Sequence, residues 1–201
     1  MKIRELYLRN FGKFSGKKIV LKDGINLFYG ENESGKTTIH TFIKSMLFGL
    51  ERGRGRASVN DTFSIYEPWE NPNYYSGTLR FESGGKNFLL ERNFDKYSKS
   101  ARLICEDDGE EFSLEHGDLE MILNGLNASN YENTVAVAQM KIEPTQSLAA
   151  EIQNYATNYY STGNSHIDLD GALNRLNKKK KEVEGEIRKS LQEKQQRRYE
   201  I

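Results

Sequence analysis

Residues 29–38 read "YGENESGKTT", and this stretch decides the reading of the whole chain. Gly30, Gly35, Lys36 and Thr37 have the spacing Gly-x-x-x-x-Gly-Lys-Thr of a phosphate-binding loop. An apolar run, Ile25 to Tyr29, leads into it. Behind it Ile39, Phe42, Ile43, Met46, Leu47 and Leu50 recur at helical spacing, so an amphipathic helix is expected from Lys36 to near Gly49. The order strand, loop, helix is what the chemistry needs. Glycines let the backbone curl until successive N–H groups point inward at phosphate oxygens, and the helix N-terminus adds partial positive charge. Lys36 is then placed for the β- and γ-phosphates and the Thr37 hydroxyl for Mg²⁺. Thr38 is placed for the α-phosphate, and Glu33 and Ser34 complete the cradle. A triphosphate and Mg²⁺ are the expected ligands.

Working outward, "KIRELYLRNF" and "KKIVLK" read as strands around a turn with Gly12 and Gly16. Asp23-Gly24 makes the next turn, and "INLFY" at residues 25–29 is expected to be a third strand. Residues 51–75 show no periodicity and read as a long ordered loop. Arg52, Arg54 and Arg56 lie in it; contact with DNA phosphates and plain solvation explain them equally. Tyr66, Trp69, Tyr74 and Tyr75 are expected to pin this loop to the body rather than stack on bases. Two hairpins follow, one turning at Gly84-Gly85 and one at Asp108-Gly109. Leu119, Ile122, Leu123 and Leu126 then form a helical face, Ser129 and Glu132 have capping-box spacing, and Leu148, Ile152, Tyr155 and Tyr159 continue at helical spacing.

"STGNS" at residues 161–165 reads as a linker, dividing the chain into a lobe over 1–165 and a coiled-coil onset over 166–201. Leu169, Leu173, Leu176, Lys180, Val183 and Ile187 follow steps of four and three, a heptad seam, though a single amphipathic surface helix has the same pattern. The pattern runs to the last residue without a cap, as if the chain were part of something longer. Residues 167–201 hold ten Lys/Arg and seven Asp/Glu. With 29 of each in the whole chain, the tail carries +3 and the rest −3. Overall charge therefore argues neither for nor against nucleic acid. Cys105 is the sole cysteine, no Cys/His metal pattern occurs, and neither a signal-peptide core nor a membrane-length apolar run is present. A cytoplasmic setting is the expectation, with no membrane partner.

Hydrolysis needs more than a cradle: a carboxylate for the Mg²⁺ shell and a group that prepares water. Glu91, ending "FLLE", and Glu106-Asp107, ending "LICED", stand after short apolar runs, but both runs read as hairpin arms.

The opening, "IRELYLRNFGKFSGKKIVLKDGINLFYGENESGKTTIHTFIKSMLFGL", resembles the N-terminal lobe of SMC and SbcC-type DNA-repair ATPase heads, and most of all the YhaN-like branch with its "NFGKF…GPNEAGKST…LLFG". The resemblance covers roughly residues 1–165. It implies an α/β P-loop NTPase lobe of the ABC/SMC type, with antiparallel hairpins and a C-terminal coiled-coil helix. It further implies that Walker B, signature motif and switch histidine reside in a separate C-terminal lobe, and that two completed heads sandwich ATP. DNA and a metallophosphoesterase-type nuclease are the further partners implied. "ENTVAVAQMKIEP" resembles the family's glutamine loop and places Gln139 at Mg²⁺ and the attacking water, although Met140 replaces the commoner glycine. Asn32 matches an asparagine of the family's loop, Lys13 is placed to approach the nucleotide, and His40 is expected to be structural. The expected function is ATP binding, with hydrolysis once the head is completed, driving conformational change in DNA repair or processing. The alternative is a noncatalytic nucleotide-binding scaffold complete as it stands. A P-loop kinase or GTPase fits less well, given the heptad tail and the lack of a guanine-recognition "NKxD".

Overall fold

The computed structural model describes residues 1–50, 52, 61–71, 74–114, 117–137, 149, 152–153, 155–157, 159–160 and 169–199. β1 (Lys2–Phe11) and β2 (Phe14–Val20) form an antiparallel hairpin turning through Gly12-Lys13. The chain then leaves the sheet for the glycine loop and α1 (Lys36–Phe48), passes a short α2 (Thr62–Ile65), and returns as β3 (Ser76–Ser83) against the free side of β1. β4 (Lys86–Asn93), β5 (Ser100–Cys105) and β6 (Glu111–Phe112) continue by hairpins. The sheet order is β2-β1-β3-β4-β5-β6, and every pairing is antiparallel. Both expected hairpins are present, and α1 begins and ends where its periodicity predicts.

Alternation gives the sheet one apolar face. Leu6, Leu79, Leu90 and Leu103 stand side by side across β1, β3, β4 and β5, and Phe81, Phe88 and Cys105 form the next row. All seven are almost fully buried. Phe42, Met46 and Leu47 of α1 are buried as well, and Phe42 meets Phe11 edge-on with ring centroids 5.2 Å apart. α1 can come this near because Gly77 has no side chain: a Cβ there would lie 2.4 Å from Phe42 Cε2 and 2.9 Å from the Tyr7 carbonyl oxygen. At the other end of α1 the Arg92 guanidinium of β4 donates to the carbonyls of Met46 and Leu47, the latter at 3.1 Å. A cation on the last carbonyls of a helix also opposes its macrodipole favourably. Burial pushes the Arg92 pKa down to about 10. Gly77 and Arg92 thus fix α1 along its length.

The opposite face carries charge. Glu5 accepts from Lys18 and Arg80, both at 2.8 Å, Arg80 reaches Glu106 at 2.9 Å, and Arg9 stands 3.6 Å from Glu91.

Three sequence expectations are corrected. Residues 25–29 have no regular secondary structure and pair with no strand; Ile25, Leu27 and Tyr29 are 97%, 86% and 96% exposed. Their apolar pattern is that of a strand, but a strand exists only where a neighbour supplies backbone partners. Asn26 instead closes a local loop, accepting from Lys22 N at 3.0 Å and donating to its carbonyl at 2.8 Å. Second, Ser129 does not open a capping box. The helical turn α4 (Ala128–Asn130) is capped by Asn127, which accepts from Asn130 N at 2.9 Å. Third, the aromatics divide. Tyr75 is buried and Tyr66 stacks on Phe11, as pins should, but Trp69 and Tyr74 stand 78% and 70% exposed. The helical face at Leu119 also shortens to α3 (Asp118–Ile122), with Leu119 and Leu123 buried.

The chain divides into two compact units, Met1–Glu132 and Asn133–Ile201. In the second, Ile152, Tyr155 and Tyr159 lie in helical conformation and are exposed; Leu148 lies outside the described residues. The heptad stretch forms one 31-residue helix, α5 (Leu169–Tyr199). Its seam residues Leu173, Leu176, Val183 and Ile187 are each more than half exposed.

Candidate phosphate-binding site

The site begins at the β1–β2 turn. Gly12 adopts a left-handed conformation (φ 55°) and donates its N–H to the Tyr66 carbonyl at 2.8 Å. Lys13, next along, sends its ammonium to the Glu33 carbonyl, and the Phe14 ring covers Gly35 so closely that a Cβ there would lie 2.4 Å from Phe14 Cζ. This hairpin turn therefore braces the glycine loop from outside.

Within the loop, Ser34 N donates to the Glu31 carbonyl at 3.2 Å, closing a tight turn. Gly35 is the N-cap of α1 in left-handed geometry (φ 101°), and no side chain caps the helix. The first intrahelical bond is Ile39 N to Gly35 O at 3.0 Å, so the amides ahead of it are orphan donors at the positive end of the helix. A Cβ on Gly30 would lie 2.7 Å from Ser34 Oγ. The Lys36 ammonium spans the loop, donating to Gly30 O at 2.7 Å, Glu31 O at 2.8 Å and Ser34 Oγ at 3.3 Å. Asn32, Glu33, Ser34, Lys36 and Thr37 are exposed, and Thr38 is half-buried against Gly12. Glycines that a methyl group would obstruct, uncapped amides and a lysine reaching across their mouth are the parts that hold a polyphosphate.

The three doubtful carboxylates are elsewhere. Glu106 and Asp107 follow β5 at the Lys2 end of the sheet, where Asp107 accepts from Asn87 N at 2.7 Å and from its side chain at 3.1 Å. The loop sits at the Phe11 end, ten residues along β1, about 30 Å away at strand rise. Glu91 faces Arg9 on the side of the sheet away from α1. None of the three can reach a phosphate held at Lys36. Gln139 lies outside the described residues, as do Arg54 and Arg56. Arg52 stacks its guanidinium 5.3 Å from the Phe63 ring. His40 Nε2 is buried without a hydrogen-bond partner. Among the described residues no cluster of three or more His, Cys, Asp or Glu could hold a metal ion.

Sequence reasoning missed Phe14 and Arg92. Phe14 borders Lys13 and could have been noticed as part of the same brace. Arg92 reads as any strand arginine, and only the return of β4 beneath α1 gives it a function. A groove of about 1000 Å³ opens beyond this end of α1, walled by Phe48, Phe112, Leu119, Leu123 and Asn127. It lies at the opposite end of α1 from the loop.

Fold and loop together have the parts of a P-loop nucleotide-binding domain. Residues 5–201 match the AAA domain family, and the chain belongs to it. It is 30% identical over 135 residues to "Uncharacterized protein YhaN" of Bacillus subtilis (strain 168), covering 66% of this chain and 12% of that protein. It is 32% identical over 90 residues to the "DNA double-strand break repair Rad50 ATPase" of Archaeoglobus fulgidus, covering 45% of this chain and 9% of that one. The chain thus spans about a tenth of the length of these relatives. A solved SMC ATPase structure, described for ATP-driven dimerization and DNA-stimulated activation, is 17% identical with a TM-score of 0.48, covering 76% of this chain and 96% of that one. Among the described residues no helix is long and apolar enough to cross a membrane.

Proposed function

We propose that this chain is the N-terminal lobe, residues 1–165, and coiled-coil root, residues 166–201, of an ATPase head that a C-terminal lobe completes. One observation supports this above the others. The apolar lead Ile25–Tyr29 runs into an intact glycine loop with its side chains in solvent and no strand beside it. An exposed, apolar, unpaired lead into the loop is what a strand leaves when the rest of its sheet is supplied by another segment. Gly30, Asn32, Glu33, Ser34, Gly35, Lys36, Thr37 and Thr38 hold the nucleotide through backbone amides, ammonium and hydroxyl. Mg²⁺, when bound, neutralises charge on the β- and γ-phosphates. Gln139 orients water, since an amide both donates and accepts, but it cannot take the water's proton. Two completed heads closing on ATP would move the coiled coils, and DNA and a nuclease are the partners such motion serves.

The test is steady-state phosphate release with and without the C-terminal lobe supplied in trans. The chain alone binds Mg-ATP by calorimetry and hardly hydrolyses it; the lobe restores turnover. Lys36→Ala abolishes binding with the unfolding midpoint unchanged, because Lys36 is exposed. Equal turnover by the isolated chain would overturn the proposal.

A further inference from the structure

Two glutamates stand inside the loop that is to hold a polyanion. Glu31 and Glu33 are both exposed, and among the described residues neither carboxylate has a hydrogen-bond or ion-pair partner. The cations beside them are engaged with backbone instead. Lys36 donates to Gly30 O at 2.7 Å and to Glu31 O at 2.8 Å, and the Lys13 ammonium takes the Glu33 carbonyl. Lys44, the next lysine along α1, is paired with Glu132. Lys13 and Lys36 against Glu31 and Glu33 thus leave the mouth of the loop with no formal net charge. The backbone does not ask for a glutamate here either. Glu33 holds a left-handed conformation, φ 64°, which glycine adopts freely and an L side chain only with strain. Strain of this kind gathers at ligand clamps. What glutamate adds over glycine at this point is a negative charge at the entrance of an anion site.

Attraction for phosphate then rests on the orphan amides and the end of α1, which act at close range. The carboxylates repel an approaching anion over about a Debye length, and that repulsion is proportional to the anion's charge. A divalent cation cancels about half the charge of a nucleoside triphosphate, and with it about half the repulsion. From the unpaired carboxylates and the left-handed Glu33 we infer that Glu31 and Glu33 are specificity-determining residues, which set the loop against free polyphosphate and in favour of a triphosphate already complexed with a divalent cation. The inference rests on the nucleotide-holding role proposed for the loop. Backbone and side chain of these residues act in opposite senses: the backbone shapes the cradle, and the carboxylates select by charge what enters it. They coordinate nothing themselves. At roughly 8 Å, in water at physiological salt, one carboxylate weakens binding of a free triphosphate by about three- to fourfold and of its magnesium complex by about twofold.

Calorimetry on the 201-residue chain measures affinity for ATP in EDTA and for Mg-ATP, in the unaltered protein and in Glu31→Gln, Glu33→Gln and the double variant. Each single substitution raises affinity for free ATP by about three- to fourfold, and the pair by on the order of tenfold. Affinity for Mg-ATP rises less, by about twofold and threefold, so the preference for the complexed form narrows. The narrowing grows at about 10 mM salt and vanishes near 1 M, where the Debye length shrinks from about 30 Å to about 3 Å. Inorganic tripolyphosphate, which has no base, shows the same gain as free ATP. Glu33→Gly behaves as Glu33→Gln does, and thermal unfolding midpoints confirm that each variant is folded. Equal gains for both forms of ATP, or none, overturn the inference and leave nucleotide binding standing. So does a gain confined to Glu33→Gly, which would assign the effect to backbone strain. A selective loss of Mg-ATP affinity overturns it too, since the carboxylate would then be a ligand of the cation. If the unaltered chain binds neither form, the role of the loop and the inference fall together.

Discussion

Glu33 holds a left-handed backbone conformation, φ 64°, that a side chain makes costly. An L residue there sacrifices roughly 1–2 kcal/mol, while glycine would bring back about 0.5–1 kcal/mol of unfolded-chain entropy. Glu33→Gly is therefore expected to be neutral or slightly stabilising, and Glu33→Val, whose branched Cβ fits this region worst, to destabilise by about 1 kcal/mol or more. Thermal unfolding of the two variants side by side checks this, with a loss in Glu33→Gly counting against it. The left turn has a use: Glu33 presents its carbonyl to the Lys13 ammonium. At this scale most of the candidate site was legible. Gly30, Gly35, Lys36 and Thr37 declare themselves by spacing, because the chemistry of holding phosphate tolerates few alternatives. Phe14 did not, because a phenylalanine opening a strand has many uses and only proximity to Gly35 selects one.

The contact between α1 and the sheet belongs to the scale of elements. Gly77→Ala places a methyl group against Phe42 and the Tyr7 carbonyl, and overpacking of this kind costs about 1–3 kcal/mol. Phe42→Leu should return part of that loss when combined with Gly77→Ala, although alone it is destabilising. A double-mutant cycle in urea measures the coupling; strict additivity would show that the helix had shifted instead of clashing. The elements themselves were mostly readable. Hairpins at Gly84-Gly85 and Asp108-Gly109 and the helix from Lys36 follow from turn chemistry and periodicity, which are local. Residues 25–29 did not form the strand their pattern suggests, since pairing is not local. The capping position moved from Ser129 to Asn127 because two adjacent segments offer competing caps, and the contact of Glu132 with Lys44 withdraws it from a box.

Across the whole molecule, carboxylates spread over several elements share one property. Asp95 accepts from the backbone N–H groups of Tyr97 and Ser98, which hold its pKa below the ordinary value. Lys86 and the N–H of Glu110 hold Asp108 down to about 2. Burial acts to raise Glu5, but the bond to Lys18 and the charges of Lys18 and Arg80 outweigh it and leave it lowered. A depressed folded pKa means that the unfolded chain takes up protons first. The stability these groups contribute is thus complete above the unfolded values near 4 and is lost as pH falls through their lowered folded values, which for Asp108 is about 2. Urea midpoints should be level from pH 7 to 5 and fall between pH 4 and 2, and a midpoint unchanged at pH 2.5 would contradict this. By itself the sequence determined the phosphate loop, the helix behind it, both hairpins and the heptad helix, because each is specified by residues within a few positions of one another. Only the tertiary structure decided that β3 returns beside β1, that Arg92 anchors the far end of α1, that "FLLE" and "LICED" lie out of reach of the loop, and that Ile25–Tyr29 stands unpaired. Those outcomes depend on which distant segments meet, and meeting is governed by the joint burial of one apolar face, a property no short window of sequence contains.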